Sequence, residues 1–228
     1  MTSRPRRVTV MAGLMAVALA IVVLFIVGRL TTDIPNLRGG TVRDEPFARN
    51  YVAHPWPAYL HIVPGLVYLL GAPFQLSARF RSPHLTLHRR MGRVLIALGA
   101  FSVVMALFIG ISHPFGGWSE AAATVVFGLW FLSCLGLAFA AVRRRDIAEH
   151  RRWMIRAFAV ATGIATIRLW TGAFIALHHA TTSAEPNGPV AETFGLAFWH
   201  GLTINVLVGE WWLRQGSKRP AVTSGSTG

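Results

Sequence analysis

The stretch 157-AFAVATGIATIRLWTGAFIAL-177 decides the fold, because it is long enough to cross a bilayer as a helix and carries a single charge, Arg168. A helix needs about 20 predominantly apolar residues to span the hydrocarbon core. The guanidinium cannot lose its charge, and at the centre of a lipid-exposed helix it costs at least ~3 kcal/mol. We therefore expect a multi-pass membrane protein whose interior solvates Arg168.

Five further stretches have similar length and hydropathy. The sequence predicts an all-α fold, a multi-pass transmembrane bundle of six helices, with spans at residues 8–30, 58–78, 94–112, 121–142, 157–177 and 194–213. Strands are excluded because these runs lack the alternation of a transmembrane barrel. We expect residues 1–213 to form one membrane domain and residues 214–228 a disordered cytoplasmic tail. The first span is interpreted as a retained anchor, since its apolar core is too long for a signal peptide.

The distribution of basic residues predicts the orientation. The net charge is +13, and 17 basic residues lie at the termini and in the two loops on one side, against 4 on the other side, between residues 29 and 49. Short basic loops are retained in the cytoplasm. Both termini are therefore predicted to be cytoplasmic, in the cell (plasma) membrane. The basic residues are scattered over short loops, which argues against a nucleic-acid partner; the bilayer is the partner that the composition indicates.

Polar side chains inside the predicted spans define a buried polar site. Tyr68 and Gln75 share one face of the second span, because seven residues make almost two full turns. Arg168 needs acceptors from other spans, and Glu210 is the one carboxylate inside any predicted span. The hypothesis is an Arg168–Glu210 ion pair, with a purely structural pair as the alternative. The predicted site comprises Tyr68, Gln75, Arg168, Asn205 and Glu210.

Four histidines lie in pairs at matched depths. His61 and His200 lie near the predicted external face, and His88 and His150 near the cytoplasmic face. Two bis-imidazole haems in a helical bundle would need such pairs, with nearby arginines to neutralise the propionates. The predicted haem b sites use these histidines as axial ligands, with Arg89, Arg90, Arg151 and Arg152 beside them.

Two function classes lead the interpretation of the residues, and a structural or regulatory subunit remains open beside them. The first is a cytochrome b-like, haem-binding electron carrier. The alternative is a small transporter or a lipid- or anion-binding membrane protein with a polar interior around Arg168. No metal other than haem iron is indicated, because the single cysteine, Cys134, cannot build a thiolate cluster. The motifs of a stand-alone enzyme are not found, since no buried Asp and no His-Glu-x-x-His string occurs.

Several motifs together resemble an uncharacterised family of predicted bacterial membrane proteins, domain of unknown function 2306. The resemblance covers about residues 51–213 and implies a multi-pass helical membrane domain, without a particular activity. Its most specific strings begin at His88 (His-Arg-Arg-Met-Gly-Arg) and His150 (His-Arg-Arg-Trp-Met-Ile-Arg). The other matching positions are His61, Gly65, Gly71, Gln75, Arg81, Pro83, Arg168, Asn205 and Glu210.

Overall fold

The computed structural model describes residues 53–181 and 190–217 and, nearer the N-terminus, residues 13, 16, 17, 19–28, 30, 31 and 34. Every regular element in these ranges is a helix. The helices are α1 (Leu19–Gly28), α2 (Pro55–Leu76), α3 (Ala78–Arg81), α4 (Leu85–Ser112), α5 (Gly117–Arg143), α6 (Ile147–Thr181) and α7 (Val190–Ser217). We call the end of the bundle that carries the α4–α5 loop the upper end, and the end that carries the α5–α6 loop the lower end.

Four of the described helices are long and apolar enough to cross a membrane: α2, α4, α5 and the segment Ile147–His178 of α6. They correspond to the second to fifth predicted spans, so the multi-pass helical prediction is confirmed in this coarser form. The first predicted span lies partly outside the described residues, and within it only the short apolar helix α1 is seen. The sixth corresponds to α7, which is 28 residues long but contains His200, Asn205 and Glu210, and it does not reach the same hydropathy.

The helices begin and end beyond the predicted spans. Basic and polar residues extend the first turns of α4 and α6, so His88 and His150 lie inside helices and not beside them. At the C-terminus α7 continues through Ser217, four residues into the segment predicted to be disordered. The remainder of that segment, residues 218–228, lies outside the described residues.

Four helices form a closed ring in the order α2, α4, α5, α6, because each contacts the next and α6 returns to α2. Helix α7 packs outside this ring against α5 and α6. Many side chains on the outer surface of the ring are large and apolar; Val67, Phe108 and Leu129 are 44%, 53% and 54% exposed. A surface of this kind suits lipid better than water.

The seam between α2 and α4 places a glycine of one helix against a larger side chain of the other. A methyl group added to Gly99 would lie 2.8 Å from Tyr68 Cδ2, and one added to Gly71 would lie 2.7 Å from Leu95 Cδ2. Above these two contacts Gly65 faces Ser102, and below them Gly92 faces Gln75. Small residues allow helices to approach closely in membranes. These contacts fix the register that brings His61, Tyr68 and Gln75 to the inside.

The α6–α7 seam is equally close. A methyl group on Gly201 would lie 3.0 Å from the backbone nitrogen of Ile167, and one on Gly209 would lie 2.8 Å from Ala159 Cβ. Asn205 stands between these two contacts and donates from Nδ2 to Thr166 Oγ1 and to the carbonyl of Gly201, both at 2.7 Å. The seam therefore has a register fixed both by shape and by hydrogen bonds.

Candidate functional site

A cavity of about 230 Å³ lies between the helices in the upper half of the bundle. Its walls are mostly apolar and come from α1, α2 and the four longest helices, α4 to α7. Its deep end is formed by Tyr68 and Phe131, whose rings meet edge to face with centroids 5.4 Å apart. Phe131 lies 14 residues into α5, which corresponds to about 21 Å along the helix axis. The cavity thus reaches from the upper end toward the middle of the bundle.

Arg168 is the cation of this cavity. It lies on α6, and its guanidinium carbon is 3.8 Å from the ring centroid of Phe25 and 5.6 Å from that of Phe194. Cations over aromatic faces gain ~0.5–2 kcal/mol, and more where water is excluded. Stacking uses the face of the guanidinium, whereas its N–H groups lie in the plane of the group. The aromatic rings around Arg168 stabilise its permanent charge, as we expected for a charged residue within an apolar span.

Glu120 brings a carboxylate to the same level. It lies in the first turn of α5 and is 9% exposed. Its Oε2 accepts the backbone N–H of Gly116 at 2.5 Å, where the positive end of the helix dipole also favours an anion. The charges of Glu120 and Arg168 interact. The polar end of the cavity therefore carries both signs of charge.

His61 and Ser102 form a fixed pair on the cavity wall. Nδ1 of His61 lies 2.9 Å from the carbonyl oxygen of Ser102, so this nitrogen must donate. The Ser102 hydroxyl donates in turn to the carbonyl of His61 at 2.8 Å. His61 therefore does not take the serine proton, and the pair lacks the arrangement of an activated nucleophile. In neutral His61, Nε2 keeps a lone pair.

The five residues of the predicted buried polar site do not lie together in one cluster. Of its five residues only Tyr68 and Arg168 line the cavity. The hypothesised Arg168–Glu210 pair is not formed, because Glu210 binds Arg156: Nε donates to Oε1 at 2.5 Å and Nη2 to Oε2 at 3.1 Å. Asn205 bonds to α6 through Thr166 and through Thr162, whose hydroxyl donates to Asn205 Oδ1 at 3.3 Å. Gln75 lies against Gly92 in the lower half of the α2–α4 seam.

A double-mutant cycle distinguishes the two possible partners of Glu210. We expect Glu210→Gln to couple with Arg156→Gln by ~1–3 kcal/mol and with Arg168→Gln by less than ~0.5 kcal/mol, because only residues in contact share an interaction energy. The measurement is thermal unfolding of the singles and doubles in detergent. Coupling to Arg168 instead of Arg156 would contradict the pairing.

The four predicted haem ligands lie on four different helices. His61 is in the cavity wall on α2, whereas His200 lies on α7 against Trp170 and Phe174, with ring centroids 5.6 and 5.1 Å away. Helices α2 and α7 do not pack against each other in the described part of the chain. His88 and His150 lie at the lower end on α4 and α6, diagonally across the ring, and interact electrostatically. The predicted propionate-binding arginines Arg89, Arg90, Arg151 and Arg152 are all exposed.

The sequence did not predict four of the residues that line the cavity: Phe25, Ser102, His113 and Glu120. Glu120 lies one residue outside the predicted span 121–142, so it was not counted among the buried carboxylates. His113 lies one residue beyond the predicted span 94–112; it lines the cavity and stacks on His54 with centroids 3.7 Å apart. A search one helical turn beyond each hydropathy boundary would have found both.

A family model described as Predicted membrane protein (DUF2306) matches residues 58–213. The chain belongs to this family. The match runs from α2 into α7 and includes every cavity-lining residue except those of α1, Val22, Phe25 and Ile26. Neither a curated protein nor a solved structure matches the chain.

Membership in the family agrees with the apolar outer surface, and the chain is a membrane protein whose spanning helices contact lipid. Several of the motif residues that carried the resemblance have a structural place. Gly65, Gly71 and Gly92 form the α2–α4 seam, and Glu210 holds Arg156. His61, Gly65 and Arg168 are the motif residues that line the cavity, which makes the cavity the candidate functional site of this family member.

Proposed function

We propose that this protein binds a small lipophilic anion in the cavity, with the anionic head group at Arg168 and the apolar body directed toward Tyr68 and Phe131. The observation that carries the proposal is the division of the cavity into a charged upper end and an apolar deep end. Ligand sites in proteins are commonly apolar clefts with a few placed polar groups. The cavity has this composition.

The size of the cavity limits the ligand. About 230 Å³ exceeds the ~150 Å³ of an engineered cavity that takes up benzene, and it is below the ~300–1,000 Å³ of sites for drug-sized molecules. A single acyl chain or one small ring system is therefore the expected body. A phospholipid with two chains is excluded by volume.

The charges select the head group. A carboxylate or phosphate can accept two parallel hydrogen bonds from a guanidinium, and such charge-assisted bonds are about twice as strong as neutral ones. Glu120 on the neighbouring helix α5 disfavours a second negative charge. His61 Nε2 is an acceptor, so it can reach a carboxylate only through a bridging water molecule. A monoanionic carboxylic acid fits this set of groups best.

Photoaffinity labelling tests the proposal. We expect a decanoic acid with a diazirine at the chain end to label peptides around Phe131 and Val160 in nanodiscs. Unlabelled decanoate should compete for this labelling, and decanol should compete less. Labelling confined to lipid-facing positions such as Phe108, or equal competition by acid and alcohol, would refute a site built around Arg168. Movement of the bound molecule across the membrane, which a transporter would require, is a separate measurement in proteoliposomes.

We also propose the six-span topology, with α1 and α7 completing the membrane domain and with both termini and the lower end cytoplasmic in the plasma membrane. The basic residues at the lower end, including Arg89, Arg144 and Arg151, support this orientation. Reporter fusions after Arg145 and after Pro186 should read cytoplasmic and external respectively. Two fusions on one side would contradict the topology.

Haem binding is a second candidate, favoured by one observation. Nδ1 of His61, His150 and His200 each lies 2.9 Å from a backbone carbonyl oxygen, those of Ser102, Ala138 and Leu196. Metal-ligating histidines commonly donate one ring N–H to such an acceptor, which leaves the other nitrogen for the metal. His88 and His150 both lie at the lower end of the bundle, on α4 and α6.

An absorption spectrum tests this second candidate directly. If haem is bound, the detergent-solubilised protein should show Soret and α bands that change on addition of dithionite, and His150→Ala should remove the component held at the lower end. A colourless protein from cells supplied with haem would exclude this function. The cavity proposal would be unaffected by that result.

A further inference from the structure

Three polar groups along the α2–α4 seam have buried atoms without a hydrogen-bond partner among the residues that the structure describes. They are the Tyr68 hydroxyl, both amide atoms of Gln75, and Nδ1 of His88. Tyr68 is 2% exposed and Gln75 7%. An unpaired buried polar group costs ~1–3 kcal/mol, and nearly all such groups are satisfied by protein or by ordered water. Three on one seam require a common explanation.

The three groups lie in a line. Tyr68 is at the deep end of the cavity, and Gln75 is seven residues further along the same face of α2, about 10 Å down the axis. Ala72 lies between them, and its methyl group leaves the most room of any side chain with a Cβ. Gln75 faces Gly92, and His88 lies one turn below Gly92 on α4. The line therefore runs from the cavity to the lower end.

We propose that Tyr68, Gln75 and His88 hold a chain of water molecules along the α2–α4 seam, which connects the deep end of the cavity with the lower surface. Water fits because Gln75 has both a free donor and a free acceptor, and one water molecule can satisfy either. An apolar occupant would leave all three groups unsatisfied. An ion is disfavoured because Tyr68 and Gln75 carry no charge to hold it.

The water chain would give protons access to the cavity. Hydrogen-bonding side chains and water that end at a titratable histidine are the form that proton relays take in membrane proteins. His88 is the titratable end, and it interacts with Arg81, Arg89 and His150 at the lower surface. This inference does not depend on the identity of the cavity's ligand.

Radiolytic footprinting in water labelled with heavy oxygen detects side chains next to internal water, even where bulk solvent cannot reach. Leu95 lies on the seam between the levels of Tyr68 and Gln75 and is 5% exposed; Leu135 on α5 is 2% exposed, and neither lines the cavity. Leu95→Met and Leu135→Met therefore form a matched pair of conservative, radical-sensitive probes.

We expect the methionine of Leu95→Met to be oxidised at least fivefold faster than that of Leu135→Met, with heavy oxygen incorporated. Adding Gln75→Leu to Leu95→Met should lower the rate to that of the Leu135→Met control. Equal rates for the two probes, or an unchanged rate after Gln75→Leu, would overturn the proposal. Monodispersity and thermal unfolding of each variant establish that the compared proteins are folded.

Discussion

Arg168→Gln should weaken binding of decanoate at least tenfold while leaving the binding of decanol within twofold. A hydrogen bond to a charged group contributes ~1.5–3 kcal/mol, which corresponds to roughly a 10- to 150-fold change in affinity. The alcohol gains little from a cation and serves as the internal reference. Isothermal titration in nanodiscs, with empty nanodiscs subtracted, measures both affinities.

Arg168→Lys should restore only part of the affinity. The ammonium keeps the charge but lacks the planar fork that binds a carboxylate through two bonds, and it cannot stack on Phe25 in the same way. Arg156→Gln is the matched control, since Arg156 lies on the same helix outside the cavity. We expect that variant to lose stability, because Glu210 is left unpaired, and to keep its affinity for the acid. Equal losses of affinity in Arg156→Gln and Arg168→Gln would indicate a folding defect and not a binding role.

Hydropathy predicted the parts of the fold that depend on length and apolar composition. The second to fifth spans follow from it because a bilayer selects runs of about 20 apolar residues. Hydropathy does not predict the helix ends, because the residues around His88 and His150 are polar and yet continue the helices at the membrane surface. The run of apolar residues ends at the edge of the hydrocarbon core, whereas the hydrogen-bonded helix continues beyond it.

The partners of buried polar residues could not be read from depth alone. Arg168 and Glu210 were paired because each needs an opposite charge, but the α6–α7 register decides which residues meet. Helices α6 and α7 are antiparallel, and Ala159 lies opposite Gly209. Glu210 is therefore at the level of Arg156, about three turns below Arg168. Arg168 instead reaches Phe25 of α1, a contact that no periodicity within α6 could indicate.

The cavity was predicted only as a polar interior around Arg168. Its apolar deep end arises from Tyr68, Phe131 and the residues around them, and these are ordinary core residues by sequence. Their arrangement around a space depends on how four helices close into a ring. Small residues in the seams set the distance between the helices, and this distance is not encoded by any one span.

The largest effect on stability is expected from Gly201→Ala. A methyl group there would lie 2.9 Å from Ile167 Cγ1 and 3.0 Å from the Ile167 backbone nitrogen. A side-chain carbon can rotate away, but the backbone nitrogen can move only with α6, so α6 and α7 must separate. Separation also lengthens the bonds from Asn205 to Thr166 and from Thr162 to Asn205. Overpacking of this kind costs ~1–3 kcal/mol.

Gly172→Ala provides the matched control on α6, because a methyl group at Gly172 meets nothing within 4 Å. Alanine exceeds glycine in helix propensity by up to ~1 kcal/mol, so this variant should be as stable as the wild type or more stable. Thermal unfolding in detergent, followed by loss of the monodisperse peak in size-exclusion chromatography, compares the two. We expect Gly201→Ala to unfold at a lower temperature than the wild type and Gly172→Ala at the same or a higher one. If Gly201→Ala unfolds at the wild-type temperature, α6 and α7 do not approach as closely as their backbone contact indicates, and the register that pairs Glu210 with Arg156 loses its support.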